Sequence, residues 1–477
     1  MLKKITAVGK AGIKAFSIYK RSWKSPEDIK KIQDRAINKA VSIAYNHTGF
    51  YREKYKSYGV HPDDIRSVDD LPKLPVITKQ ELIDNFESSI PKPINRDMAF
   101  FMGTSGTTGQ ALHIYKDYKW LAYGFTFAIR MFKLHKLGLF PKTAFIYDAA
   151  SKTGIEKNMD QYFKYFTCAP LLIPVDQDIK KIMRQLEGSG INYLATYTGV
   201  MRELATLKKN GIGQDLNLIK VGLSGELLDD YTRHHIEEAF NCECFSAYIT
   251  TEGGPIAFEC PNKKMHINSD FVVPEIVDEK GNPLPPGMDG LILLTCCDGS
   301  YSTPIIRYSG CADISQIITD KCTCGINTPI LGTIKGRAVD SIKLPDGKVF
   351  HAFSMTVPME KIQRDYCNGR MRRYQIIQHA LDQITISIVR NAEKTSPDDN
   401  LNDLKKMIKD IYQEKLGSAV KINVREIKFD ELKKTGSEGM PTPLVLSELS
   451  KNNKVTTESI GEEENRKVVI KPASTSL

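Results

Sequence analysis

The chain has 477 residues, 41% of them hydrophobic, which is more than one core serves and enough to fill at least two folded units. Lys and Arg number 66 against 57 Asp and Glu, a net charge of +9, and much of that excess is expected from scattered lysines rather than one concentrated patch. That distribution argues against a nucleic-acid partner and fits either a solvated lysine-rich surface or anionic small molecules.

No run of eighteen apolar residues occurs, and lysines break the opening MLKKITAVGKAGIKAF, so the expectation is a cytoplasmic protein with no integral membrane segment. The same opening has the pattern of a short amphipathic helix that could rest on a membrane or a partner. Ten cysteines in a reducing compartment are expected to be buried thiols or metal ligands.

Ser25-Pro26-Glu27-Asp28 reads as a helix start, and Ile29, Ile32, Ala36, Ala40 and Ile43 follow at helical spacing. Thr78 with Glu81 three residues on is a second start in capping-box register, so the first hundred residues form a helical prelude. Then comes Met102-Gly103-Thr104-Ser105-Gly106-Thr107-Thr108-Gly109-Gln110, with strand-like residues Ala111 to Tyr115 after it. Glycines let the backbone turn and aim N–H groups at an anion, and the hydroxyls of Thr104, Ser105, Thr107 and Thr108 add donors. The loop lacks a Gly-Lys-Ser/Thr ending, which disfavours a kinase or GTPase.

From about 100 to 335 strand-length apolar runs alternate with helices. Ile191 to Tyr197 and Leu218 to Leu223 read as strands, Asp229 to Phe240 as a helix and Cys242 to Tyr248 as a strand, which points to α/β layers. After Gly336 a hairpin (Arg373 to Gln378, Gln383 to Val389), a helix (Asn402 to Leu416) and a strand (Val420 to Ile427) make a small α+β unit. Residues beyond Leu449 are polar, and a disordered tail is expected over 450–477.

The loop Thr104 to Gly109, with Leu223-Ser224-Gly225-Glu226 and the later Tyr248-Ile249-Thr250-Thr251-Glu252, resembles the adenylate-forming superfamily. It is most similar to the phenylacetate-CoA ligases and their capsular-polysaccharide-biosynthesis relatives. The resemblance implies an N-terminal adenylation domain over 1–336 and a mobile C-terminal domain over 337–449. It also implies ATP, Mg2+ and coenzyme A as cofactors, with Thr104 to Gly109 on the phosphates and Ser224, Gly225 and Glu226 along the adenine. Tyr248 would stack on the base, Thr251 would adjoin the nucleotide, and Glu252 would hold magnesium, with Thr104 and Glu252 catalytic. The strand Pro304-Ile305-Ile306-Arg307-Tyr308 would lead to Asp313 on the ribose, one residue farther along than the family spacing. Arg337 would contact nucleotide and Asp340 would be the hinge, with Val339 where the family has a second acid.

The chemistry asks for these residue types independently. A carboxylate attacking the α-phosphate expels pyrophosphate, and the concentrated negative charge needs donors and a hard cation with oxygen ligands.

Cys260, His266, Cys322 and Cys324 would complete a tetrahedral shell, and some phenylacetate-CoA ligase relatives carry a similar pattern around a structural zinc. Spacing alone favours unrelated buried cysteines, since Cys-x-Cys is closer than the usual finger spacing. The family also places a lysine near its C-terminal end, usually after glycine. Here Ser437-Glu438-Gly439-Met440 offers methionine, leaving Lys433 and Lys434 as nearby cations.

The reading is therefore a ligase joining an aryl or other organic acid to coenzyme A. The alternatives are transfer to a carrier-protein thiol, an amine or a sugar, or a nucleotide binder that has lost its chemistry. A homodimer is compatible with all of them.

Overall fold

A computed structural model describes residues 2–104, 110–138, 141–147, 170–297, 300–367, 370–391, 400–433 and 444–449. Helix α1 spans Leu2–Ile18, and α2 spans Pro26–His47 with the Ser25 hydroxyl accepting from the Asp28 amide. The buried stripe of α2 runs through Ile29, Ile37, Ala40, Val41 and Ala44, and Ile32 and Ala36 stand at its half-buried margin. In α3 (Gly49–Ser57) Tyr51 is fully buried and donates to the Pro304 carbonyl at 2.7 Å, tying the prelude to a distant part of the chain. Helix α4 (Lys79–Asp84) opens on a complete capping box between Thr78 and Glu81. After α5 (Phe86–Ser89), β1 (Ala99–Gly103) and β2 (His113–Asp117) pair antiparallel with Gly103 opposite His113.

The next stretch runs α6 (Leu121–Leu134), β3 (Thr143–Tyr147), β4 (Leu171–Pro174), α7 (Ile179–Glu187), β5 (Tyr193–Tyr197), α8 (Thr198–Lys209), β6 (Lys220–Ser224), α9 (Asp230–Phe240), β7 (Glu243–Thr250), β8 (Gly254–Glu259) and β9 (Met265–Ile267). It continues with β10 (Val272–Val277), β11 (Gly290–Cys296), β12 (Ile314–Ser315), β13 (Ile317–Ile318) and β14 (Ile330–Leu331).

Nine strands make one sheet in the order β13-β14-β9-β8-β7-β6-β5-β3-β4. From β4 through β7 neighbours are parallel, and from β7 through β13 they are antiparallel. Parallel strands need crossovers, and α7, α8 and α9 supply them and cover an apolar core that includes Leu194, Val221, Leu204 and Ile236. A second sheet, β10-β11-β12, shares its core with the prelude through Ile77, Ile292, Leu294 and Tyr308.

The chain then folds β15 (Ile342–Lys343), β16 (Val349–Phe350), α10 (Ala352–Ile362), β17 (Met371–Ala380), β18 (Gln383–Arg390), α11 (Leu401–Leu416), β19 (Lys421–Glu426) and β20 (Val445–Ser447). Four of these strands form a sheet in the order β19-β18-β17-β20, built on the β17–β18 hairpin read from the sequence. It has its own core around Met355, Tyr374, Ile386, Ile408 and Tyr412. Among the described residues no helix is long and apolar enough to cross a membrane.

Candidate active site

Strands β5, β6 and β7 end side by side, with Tyr197 opposite Ser224 and Leu223 opposite Ser246. The crevice beyond the carboxyl ends of parallel strands is where α/β sheets place their ligands. Ser224 closes β6 and Gly225 follows at φ +79°, where a Cβ would come within 2.7 Å of the Tyr197 ring. Only glycine fits this turn.

Thr104 sits at the mouth of the β1–β2 hairpin. Its amide donates to the Leu112 carbonyl at 2.9 Å, and its hydroxyl accepts from the Leu112 amide at 3.0 Å, which clamps the two strands together at that point. Ser105, Gly106, Thr107, Thr108 and Gly109 lie outside the described residues.

Two acids meet two phenols at the core of the site. Tyr248 near the end of β7 donates to Asp313 Oδ2 at 2.7 Å, and Tyr308 donates to Glu252 Oε1 at 3.0 Å. Glu252 is 6% exposed, and its Oε2 carries no hydrogen bond among the described residues. That leaves one carboxylate oxygen for a hard cation. Thr251, half-buried, directly precedes it. Burial raises Asp313 above the ordinary carboxylate range, against the pull of the Tyr248 hydroxyl and the Arg337 charge. Asp313 and Arg337 are backbone bridge partners, and Arg337 caps the short helical turn Ala338–Asp340 that contains the expected hinge residue.

Arg307 belongs to the scaffold. Held at φ +44° and buried, it binds Glu275 at 3.1 Å and the carbonyls of Leu74 and Gly281, each at 2.7 Å. It thereby locks the segment that presents Tyr308; residues 304–308 are not the strand read from the sequence, because only Tyr308 among them pairs, through isolated bridges to Ile77 and Leu294.

Lys79 was missed in the sequence, where its segment read only as a helix start. Ile77 forms a bridge with Tyr308, accepting from the Ser309 amide at 2.9 Å, so Lys79, two residues on, enters beside the Tyr308–Glu252 pair. Burial lowers its ammonium pKa, Glu252 pulls it back up and Arg337 pushes it down.

Glu226 accepts a hydrogen bond from the Gly199 amide and pairs with Arg373 of β17 at 3.4 Å. Beside it Arg372 pairs with Glu203 at 2.6 Å, and Arg202 donates to the Arg372 carbonyl at 3.1 Å. The Arg372-Arg373 pair thus joins the four-stranded sheet to α8 and to the turn after β6. Of the cations near the expected family lysine, Lys433 is paired with Glu448, while Lys434 and Ser437 to Met440 lie outside the described residues.

Cys260, His266, Cys322 and Cys324 come together, their ligand atoms all within 4.8 Å of one another. Cys260 and Cys322 sulfurs stand 3.7 Å apart, close to the roughly 3.8 Å that a tetrahedral ion with bonds of about 2.3 Å sets between thiolates. His266 turns Nδ1 to the Thr328 carbonyl at 3.2 Å and Nε2 to Cys324 at 3.2 Å, the tautomer a ligating imidazole needs. Burial lowers the His266 pKa and raises that of Cys324 to about 12. Such a thiol ionises readily only against a cation.

No protein-family model matches the chain. It is 23% identical over 334 residues to the phenylacetate-coenzyme A ligase of Thermus thermophilus, covering 66% of this chain and 72% of the relative. It is 24% identical over 295 residues to protein CapK of Staphylococcus aureus, covering 59% of this chain and 62% of CapK. Among solved structures, 2-hydroxyisobutyryl-CoA ligase in its postadenylation state superposes with a TM-score of 0.72 at 16% identity, covering 92% of this chain and 94% of that one. In its thioesterification state the same enzyme gives 0.57 at the same coverage.

In fold the chain is that of 2-hydroxyisobutyryl-CoA ligase over nearly its whole length. In sequence it is similar to the phenylacetate-coenzyme A ligases and to CapK.

Proposed function

We propose that the chain activates a small carboxylic acid as its acyl-adenylate and passes the acyl group to coenzyme A. The observation that supports this reading most is the pairing of Glu252 with Tyr308 and of Asp313 with Tyr248 and Arg337, with Lys79 close enough to feel the charges of Glu252 and Arg337. In the first half-reaction an oxygen of the acid attacks the α-phosphorus of ATP and pyrophosphate leaves. In the second, the coenzyme A thiol attacks the acyl carbon and AMP leaves.

Asp313 accepts the ribose hydroxyls, and the turn Ser224-Gly225-Glu226 with the Tyr248 ring frames the adenine. Thr104 to Gly109 grip the phosphates through N–H and hydroxyl donors. Glu252, through its open oxygen, is the residue to hold Mg2+, which neutralises phosphate charge when bound. Lys79 and Arg337 supply protein cations, at the Glu252 end and the Asp313 end respectively.

We further assign Cys260, His266, Cys322 and Cys324 to a structural Zn2+, because four protein ligands leave no open position. Asp340 is assigned as the hinge between residues 1–336 and 337–449, and domain closure of this kind separates two half-reactions in one pocket.

The test is to incubate the chain with ATP, magnesium and pooled carboxylic acids, with and without coenzyme A, and to analyse the products by mass spectrometry. An acyl-AMP species that becomes an acyl-CoA on adding coenzyme A supports the reading. Bound ATP that stays intact across the pool rejects it.

A further inference from the structure

Helix α1 has two faces. Val8, Ala11, Ala15 and Ile18 are buried, and through them the helix lies along α6. On the opposite face Ile13 is 75% and Phe16 53% exposed, and Lys3, Lys10 and Lys14 are exposed beside them. Lys10, Ile13 and Phe16 follow one another three residues apart, and Lys14 is four on from Lys10, so they share one ridge.

The excess charge, expected to be scattered, is in fact segregated here. Residues 1–26 contain seven Lys or Arg and no Asp or Glu. Arg21 reaches Asp270 at 4.0 Å, but among the described residues no acid pairs with Lys3, Lys10, Lys14 or Lys20. A face meant only for water gains nothing from two protruding apolar side chains.

We propose that this face of α1 seats the protein on an anionic lipid surface. The lysines meet lipid phosphates, and Ile13 and Phe16 enter the boundary between headgroups and acyl chains. A second copy is the weaker occupant, because two-fold pairing would lay the cationic face on itself. The inference does not rest on the catalytic reading.

Vesicle co-sedimentation of the full chain tests it, comparing phosphatidylglycerol-containing with pure phosphatidylcholine vesicles. The bound fraction is expected to rise about tenfold with the anionic lipid and to fall again in about 0.5 M salt. The variants Ile13→Ser/Phe16→Ser and Lys10→Glu/Lys14→Glu should each lose about tenfold in binding while keeping the parent thermal midpoint. Equal binding to both vesicle types, no binding, or variants that bind like the parent would overturn the proposal. A dimer in analytical ultracentrifugation that the Ile13/Phe16 variant dissolves would reassign the face to self-association.

Discussion

Glu252 and Asp313 are each held by a phenol, Tyr308 and Tyr248, so both acids are oriented before any ligand arrives. Replacing Glu252 with Gln keeps the Tyr308 contact and removes the charge. Adenylation measured by initial rates should fall about a hundredfold or more, with the thermal midpoint unchanged. Lys79→Met should also lower the adenylation rate by about a hundredfold, and a rate within twofold of the parent would remove Lys79 from the site.

These residues differ in how far the sequence disclosed them. Thr104 and Glu252 stand in short motifs whose spacing carries their meaning. Lys79 lay hidden in an ordinary capping box, because its neighbour is Tyr308, more than two hundred residues away and reachable only through a tertiary bridge. The ion pair of Glu226 with Arg373 spans 147 positions and leaves no local pattern.

The hairpin β17–β18 was legible from its alternation, but its docking on α8 was not, since periodicity says which side of a strand is apolar and not what it meets. Arg372 and Arg373 fasten this sheet to Glu203 and Glu226. Arg373→Ala should slow adenylation by about tenfold and leave thioester formation from supplied acyl-AMP unchanged. Equal loss in both half-reactions would mean that the pair only stabilises the fold.

The same two bodies meet again where Glu360 of α10 faces Asp229 and Asp230 at the start of α9, with Tyr374 and Tyr412 nearby. Burial first, then those two carboxylates, raise Glu360 to about 7. Its pKa is higher folded than unfolded, so its contribution to stability is complete below the ordinary glutamate range and lost as pH rises through about 7. Thermal melts at pH 6 and pH 8 should differ by a few degrees for this reason, and Glu360→Gln should flatten that difference. An equal pH response in the variant would exclude Glu360 as its source.

Across the whole molecule, the Arg372-Arg373 contacts fasten the four-stranded sheet to α8 and to the turn after β6. The four-ligand cluster bridges β8, β9 and the segment that leads to β14, so a bound ion would staple three neighbouring strands of one sheet. Elemental analysis of the purified chain should find about one zinc per chain, and a strong chelator should lower the melting temperature by several degrees. Metal-free protein with an unchanged melt would return these residues to the ordinary buried thiols that spacing alone allowed.

Carboxylate-dependent exchange of labelled pyrophosphate into ATP bears most directly on the catalytic account, because it reports the reversible first half-reaction without any acyl acceptor. With magnesium and the right acid, exchange should rise well above the acid-free rate and collapse in Glu252→Gln. ATP that binds yet never exchanges over a broad panel of acids would contradict the account and leave a nucleotide-binding protein without this chemistry.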